Sequence, residues 1–128
     1  MSNTVYKKYG ISVILPTYNE RENLPLIIWM LMECSKKNDI KMEVIIVDDN
    51  SPDGTQDQVK DLQRIYGEDK VVLNARPGKM GLGSAYIDGL KRCKNEYVIL
   101  MDADLSHHVS VSKLYNFLLA KIHSSIHW

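Results

Sequence analysis

Tyr97-Val98-Ile99-Leu100-Met101-Asp102-Ala103-Asp104-Leu105-Ser106-His107-His108 is the stretch that decides the fold. An apolar run without polar alternation, ending abruptly at carboxylates, predicts a buried parallel strand whose end opens onto a site. Along an extended chain residues i and i+2 point the same way, so Asp102 and Asp104 present their carboxylates on one face with the small Ala103 between them. Two hard anionic oxygen groups side by side favour a hard divalent cation, Mg2+ or Mn2+, which takes a few carboxylates and keeps positions open for substrate phosphates. Taken by itself an Asp-x-Asp pair also suits a solvated acidic turn, so the weight falls on the other strand ends.

Working outward to the amino terminus, Ile11-Ser12-Val13-Ile14-Leu15 is a β-rich strand with Pro16 expected to mark its exit, because proline cannot donate to a ladder. The loop Thr17 to Glu22 follows, and a helix is predicted to start near Asn23, an N-cap residue, with Pro25 in its first turn. Leu24, Ile27, Ile28 and Leu31 form an i, i+3, i+4, i+7 stripe that packs on the sheet, with Trp29 and Met32 expected at its rim. Tyr18 and Glu20 overhang the strand end. They read either as ordinary loop polarity or as an aromatic face and a carboxylate for a base or ribose.

Val44 to Val47 is a second apolar strand, ending at Asp48-Asp49-Asn50-Ser51-Pro52-Asp53-Gly54-Thr55. Asp53 and Thr55 are explained as the start of the helix that carries Val59, Leu62 and Ile65. Asp48 and Asp49 abut a buried strand, where an uncompensated carboxylate is costly, so at least one requires a hydrogen-bonding partner or ligand. A third strand over Lys70 to Asn74 leads into Arg76-Pro77-Gly78-Lys79-Met80-Gly81-Leu82-Gly83-Ser84. Its two cations and the exposed amides of the helix that follows suit an anion, while Gly81 and Gly83 equally suit close helix packing. That helix is marked by Ala85, Leu90 and Cys93. Neither the P-loop nor the dinucleotide glycine fingerprint is present.

The alternation of strands and helices predicts an α/β domain with a mainly parallel sheet, whose ligands bind beyond the strands' carboxyl ends. The predicted organisation is a tail over residues 1–9, a nucleotide-sugar-binding α/β domain over residues 10–108, and a C-terminal helix or tail over residues 109–128. In that last part Val111, Leu114, Leu118 and Ile122 form one amphipathic stripe. Length and charge bound the function: 128 residues make one domain, and 16 basic against 16 acidic side chains, with no basic block, give no footprint for nucleic acid. Cys34 and Cys93 lack metal spacing and are expected as reduced thiols on helices. No segment approaches the roughly 20 apolar residues of a membrane span.

Four motifs in order, Pro16 to Asn23, Asp48 to Thr55, Gly81 to Tyr86 and Met101 to His108, resemble the dolichol-phosphate mannosyltransferases, inverting glycosyltransferases of the A-type, Rossmann-like fold. The resemblance implies transfer of mannose from GDP-mannose to dolichyl phosphate, giving dolichyl β-D-mannosyl phosphate for protein glycosylation, on the cytosolic face of the endoplasmic reticulum. It implies Pro16, Tyr18, Glu20, Val47 and Asp49 around the guanosine, and Asp102, Ala103 and Asp104 at the diphosphate. It also implies Asp102, Asp104 and Ser106 at the metal, with the two aspartates as the catalytic pair. Small membrane-embedded subunits are the implied protein partners. Relatives carry proline where Val109 stands and continue for about another hundred residues, a domain-sized length. The expectation is therefore that the acceptor half is absent, so that a fragment binding GDP-mannose and metal without transfer is a second reading. A third is a phosphoacceptor domain, since Asp48-Asp49 with Asp102 resembles a receiver's acidic pocket.

Overall fold

The computed structural model describes residues 10–101. Strands and helices alternate as β1 (Ile11–Thr17), α1 (Leu24–Asn38), β2 (Met42–Asp48), α2 (Thr55–Tyr66), β3 (Val71–Ala75), α3 (Leu82–Leu90) and β4 (Tyr97–Leu100). The strands form a parallel four-stranded sheet in the order β3-β2-β1-β4. The chain steps from β1 to β2 to β3 in one direction and then returns across the sheet to β4. The order reverses between β1 and β4, the place where open α/β sheets bind ligands.

β1 and β2 are central and buried on both faces, which explains their lack of alternation. Ile11, Val13 and Leu15 face one way with Val44 and Ile46, against α1 and α2 through Leu24, Ile27, Ile28, Leu31, Val59 and Leu62. Ile14, Ile45, Val47 and Val72 face the other way and pack with Ala85 of α3. Each fully buried leucine or isoleucine contributes about 1.5–3 kcal/mol. The predicted stripe of α1 is completely buried and Met32 packs at its rim.

Several expectations need correction. Pro16 lies inside β1, in register with Val47, and the strand runs on to Thr17. Pairing with β4 ends at Leu100 opposite Ile14, and the Met101 N–H bonds Ile14 O at 3.0 Å. Pro16 turns its main chain to the same side as Ile14, so its missing N–H falls beyond that ladder. Asn23 precedes α1 but makes no side-chain cap; its amide donates to Glu20 Oε2 at 2.7 Å instead. Trp29, Ile65 and Leu90 are exposed rather than core: at about 100° per residue Trp29 falls opposite the buried stripe of α1 and Leu90 well round from Ala85 and Gly89, while Ile65 lies just beyond the arc of Val59 and Leu62. Gly81 and Gly83 meet no neighbour within 4 Å; Gly89 is the packing glycine, where a Cβ would come within 2.5 Å of Ile14 Cγ2. Cys93 lies beyond the end of α3 rather than on a helix. Burial raises the pKa of both thiols, which keeps them protonated and unreactive at neutral pH.

Candidate functional site

The first two strand ends are built around a buried carboxylate. Asp48, at the end of β2, is fully buried. Its Oδ1 accepts the Thr17 hydroxyl at 2.7 Å and the Ser51 hydroxyl at 2.6 Å. Its Oδ2 accepts the Ser51 N–H and the Gln56 side-chain amide, both at 2.9 Å. A buried anion survives only when its oxygens are so occupied. Asp48 therefore shapes the rim and is not open to a phosphoryl group or a metal.

The β1 and β2 loops are stapled side by side. Asn19 and Asn50 both adopt left-handed backbone, φ 57° and 55°, a conformation that asparagine tolerates better than most residues and that turns each loop back on itself. The Asn19 N–H then donates to Ser51 Oγ at 2.9 Å, the Glu20 N–H to Thr55 Oγ1 at 3.2 Å, and the Arg21 N–H to Asp53 Oδ2 at 3.3 Å. Asp53 accepts the Thr55 N–H and hydroxyl as well, so the sequence-predicted helix start holds, with Gly54 as the residue before α2. Burial pushes the Asp53 pKa up, but the bonds from Thr55 and Arg21 outweigh it and hold the carboxyl below its usual range.

The third strand end supplies Arg76, which is 4 % exposed. Its N–H bonds Asp48 O at 2.8 Å. Its Nε donates to Asp49 Oδ1 at 2.7 Å, while its terminal nitrogens reach Ser84 Oγ at 2.9 Å, Asp88 Oδ2 at 3.3 Å and Gly81 O at 3.3 Å. The bond to Asp49 raises the arginine's pKa further, against the opposing effect of burial, with Asp88 adding to the rise. This corrects the expected role of Arg76 as a cation facing an anion: its guanidinium is consumed in tying β2, β3 and α3 together. Sequence reasoning missed Asp88, whose signal was its lone charge in the short helix Leu82–Leu90. Lys79 remains, with Nζ 4.0 Å from the centre of the Tyr18 ring, a cation over an aromatic face.

The sequence-predicted site residues divide accordingly. Pro16 and Val47 are register partners, and the Asp49 N–H bonds Thr17 O at 3.2 Å, so Pro16, Tyr18, Val47 and Asp49 share one rim. Tyr18 is 39 % exposed and Asp49 partly exposed. Glu20 is buried in its own turn beside Asn23, and the Val47 side chain is spent in the core under α3. Asp102, Ala103, Asp104 and Ser106 lie outside the described residues, as does the stripe at Val111, Leu114, Leu118 and Ile122. Among the described residues no group of three or more His, Cys, Asp or Glu is placed to hold a metal ion. Of the acids nearest the rim, Asp48 does not fit that task because both its oxygens are engaged as above, and Asp49 has Oδ1 held by Arg76, which leaves Oδ2 as an acceptor.

A sheet that winds both ways from a switch point, with a polar rim at its carboxyl end, defines a Rossmann-like class of α/β protein. The order β3-β2-β1-β4 also sets aside the receiver reading, in which the acidic strand stands beside the switch point. Comparison with known proteins narrows the class. Residues 12–123 match the family described as glycosyl transferase family 2. A dolichol-phosphate mannosyltransferase from Pyrococcus furiosus is 38 % identical over 97 residues, covering 76 % of this chain and 26 % of its own length. A polyprenol monophosphomannose synthase from Mycolicibacterium smegmatis is 42 % identical over 98 residues, covering 74 % of this chain and 35 % of its own. Among solved structures, a mannosyltransferase from Pyrobaculum calidifontis in complex with GDP-Man and Mn2+ superposes with a TM-score of 0.61 at 31 % identity, covering 77 % of this chain and 29 % of that one. The chain belongs to glycosyl transferase family 2 and has the A-type glycosyltransferase fold; it spans about a quarter to a third of the length of these relatives.

Proposed function

We propose that the chain is the donor-binding part of a dolichyl-phosphate β-D-mannosyltransferase, which moves mannose from GDP-mannose to dolichyl phosphate with inversion. The observation that carries this reading is the rim itself: an exposed aromatic ring at Tyr18 beside Asp49, whose carboxylate is fixed in direction by Arg76. Tyr18 offers a face to the guanine and Asp49 a fixed acceptor to its N–H groups, with Pro16, Glu20 and Val47 forming the wall behind them. Asp102 and Ala103 border the diphosphate. Asp102 and Asp104, with Ser106 directly or through water, would hold Mg2+ or Mn2+, hard cations matched to hard oxygen donors. When bound, the ion supplies charge neutralisation on the departing GDP.

The acceptor oxygen of dolichyl phosphate is already anionic at neutral pH, so its attack on the anomeric carbon needs little help from a base, and none is assigned. The new carbon–oxygen bond forms opposite the breaking bond to GDP, which gives the β-linked product. No helix among the described residues is long and apolar enough to cross a membrane. In this proposal small membrane-embedded partner subunits and the lipid acceptor bring the enzyme to the cytosolic face of the endoplasmic reticulum.

Calorimetric titration of GDP-mannose with Mn2+ or Mg2+, followed by transfer of labelled mannose to dolichyl phosphate in detergent, tests the proposal. Metal-dependent binding with transfer is expected for a competent enzyme. The second outcome, binding without transfer, would make the chain a donor-binding unit. Absence of binding in either metal would overturn both readings.

A further inference from the structure

We propose that Ser84 and Asp88 of α3 are positioning residues that aim the Asp49 carboxylate at the base of the nucleotide, acting through the Arg76 guanidinium; the inference rests on the donor reading above. Residues four apart on a helix share one face, so the Ser84 hydroxyl and the Asp88 carboxylate stand one turn apart on the same side of α3. Both accept from Arg76 Nη1, at 2.9 and 3.3 Å. Arg76 Nη2 donates to Gly81 O at 3.3 Å, on the residue just before the helix. All three acceptors for the terminal nitrogens therefore come from α3 and its entry. Asp88 meets Lys91 Nζ through its other oxygen, Oδ1, at 3.7 Å, which leaves Oδ2 turned to the arginine. The helix itself is held against the sheet by the close approach of Gly89 to Ile14 and by the bond from Asn74 Nδ2 to Asp88 O at 3.4 Å.

A guanidinium is planar and carries its five N–H donors in a fixed fork. Holding the two terminal nitrogens therefore sets the direction of the Nε–H as well. That N–H donates to Asp49 Oδ1 at 2.7 Å, and the Asp49 side chain is 14 % exposed where that of Arg76 is 3 %. With Oδ1 pinned, Oδ2 is presented at the rim in a set direction. Direction matters to the N–H groups on the edge of a base, because hydrogen bonds weaken steeply with angle, and not to a diphosphate, which a carboxylate does not bind. If the cluster only tied the fold together, its loss would weaken every nucleotide alike; as a positioning device, its loss falls on the base that needs Asp49.

NMR titration of the full chain with GDP and with ADP, both with Mg2+, tests this. ADP offers the same ribose and diphosphate but lacks the adjacent N1–H and N2–H donors of guanine. Wild type is expected to prefer GDP, and Ser84→Ala with Asp88→Ala to reduce that preference about tenfold by weakening GDP alone; ADP affinity held at the wild-type value shows that the variant is folded. Ser84→Ala by itself, which leaves the Arg76 pair with Asp88 in place, should reduce the preference about threefold. Ser84→Thr with Asp88→Asn keeps both acceptors and should restore most of it. Without nucleotide, the Arg76 Nε–H should exchange with water faster in the double-alanine variant than in wild type. A preference for GDP that survives the double-alanine variant, or an unchanged Nε–H exchange rate, overturns the inference. So does a parallel loss for GDP and ADP, which assigns the cluster to stability alone. Wild type that does not distinguish GDP from ADP overturns the donor reading and this inference together.

Discussion

The two ends of the sheet bury comparable carboxylates and treat them in opposite ways. At the carboxyl end both oxygens of Asp48 are filled by Thr17, Ser51 and Gln56, and the neighbouring loops are locked by further bonds. At the amino end Glu43 is 3 % exposed; its Oε2 accepts the Ser12 hydroxyl and the Lys94 N–H, both at 2.6 Å, while its Oε1 has no hydrogen-bond partner among the described residues. The amino end also holds a hollow of about 860 Å3, lined by residues that include Lys36, Lys41, Lys70 and Lys94. The carboxyl end carries the switch point of the strand order and a rim whose buried charge is fully satisfied, which leaves Tyr18 and Asp49 held in place for a ligand.

That contrast breaks most readily at Asp48. Asp48→Ala strands the donors of Thr17, Ser51 and Gln56 and is expected to cost about 4 kcal/mol, read as a fall in the urea midpoint. Arg76→Leu leaves Asp49 and Asp88 without their shared cation and is expected to cost about 3 kcal/mol; it should also weaken GDP binding, because Asp49 loses its orientation. Tyr18→Ala should leave the melting temperature close to wild type while reducing GDP affinity about tenfold, the loss of about 1.4 kcal/mol of stacking.

Asp53 sharpens the comparison through pH. Its folded-state pKa lies below the unfolded value, so its contribution is complete above the unfolded pKa, near the ordinary carboxylate value, and is lost as pH falls through the folded one. Denaturant melts across acidic pH should show a flatter acid limb for Asp53→Asn than for wild type. The smallest effect is expected for Glu43→Gln, within about 1 kcal/mol of wild type in either direction, because the variant keeps an acceptor for Ser12 and removes a charge with an unfilled oxygen. If Glu43→Gln proves as harmful as Asp48→Ala, the distinction between the two ends fails.

Much of the fold is legible in the amino-acid sequence. The unbroken apolar strands, the stripe of α1 and the acids crowded at strand ends all follow from patterns in which one residue's environment is set by its close neighbours along the chain. The need for a partner at Asp48 or Asp49 follows from the cost of burying charge, and both have one. What escapes the sequence depends on contacts between distant segments. Arg76 reads as a ligand-facing cation because its partners, Asp49 and Asp88, come from β2 and α3. Gly89 reads as no different from Gly81 and Gly83, yet of the three it alone meets Ile14. Ile65 sits next to the stripe of Val59 and Leu62 on α2 and is exposed, and helical period alone does not say how wide the buried arc is.

The central claim is that the carboxyl rim, not the amino-end hollow, receives the nucleotide. Titrating the isotope-labelled chain with GDP and Mg2+ and following its amide resonances by NMR tests this most directly. The account predicts that the amides of Tyr18 to Arg21, Asp49 to Ser51 and Arg76 to Gly81 shift, while those of Lys36, Lys41, Glu43 and Lys70 stay in place. Shifts centred on Lys36, Lys41, Glu43 and Lys70, with the rim unmoved, would contradict it.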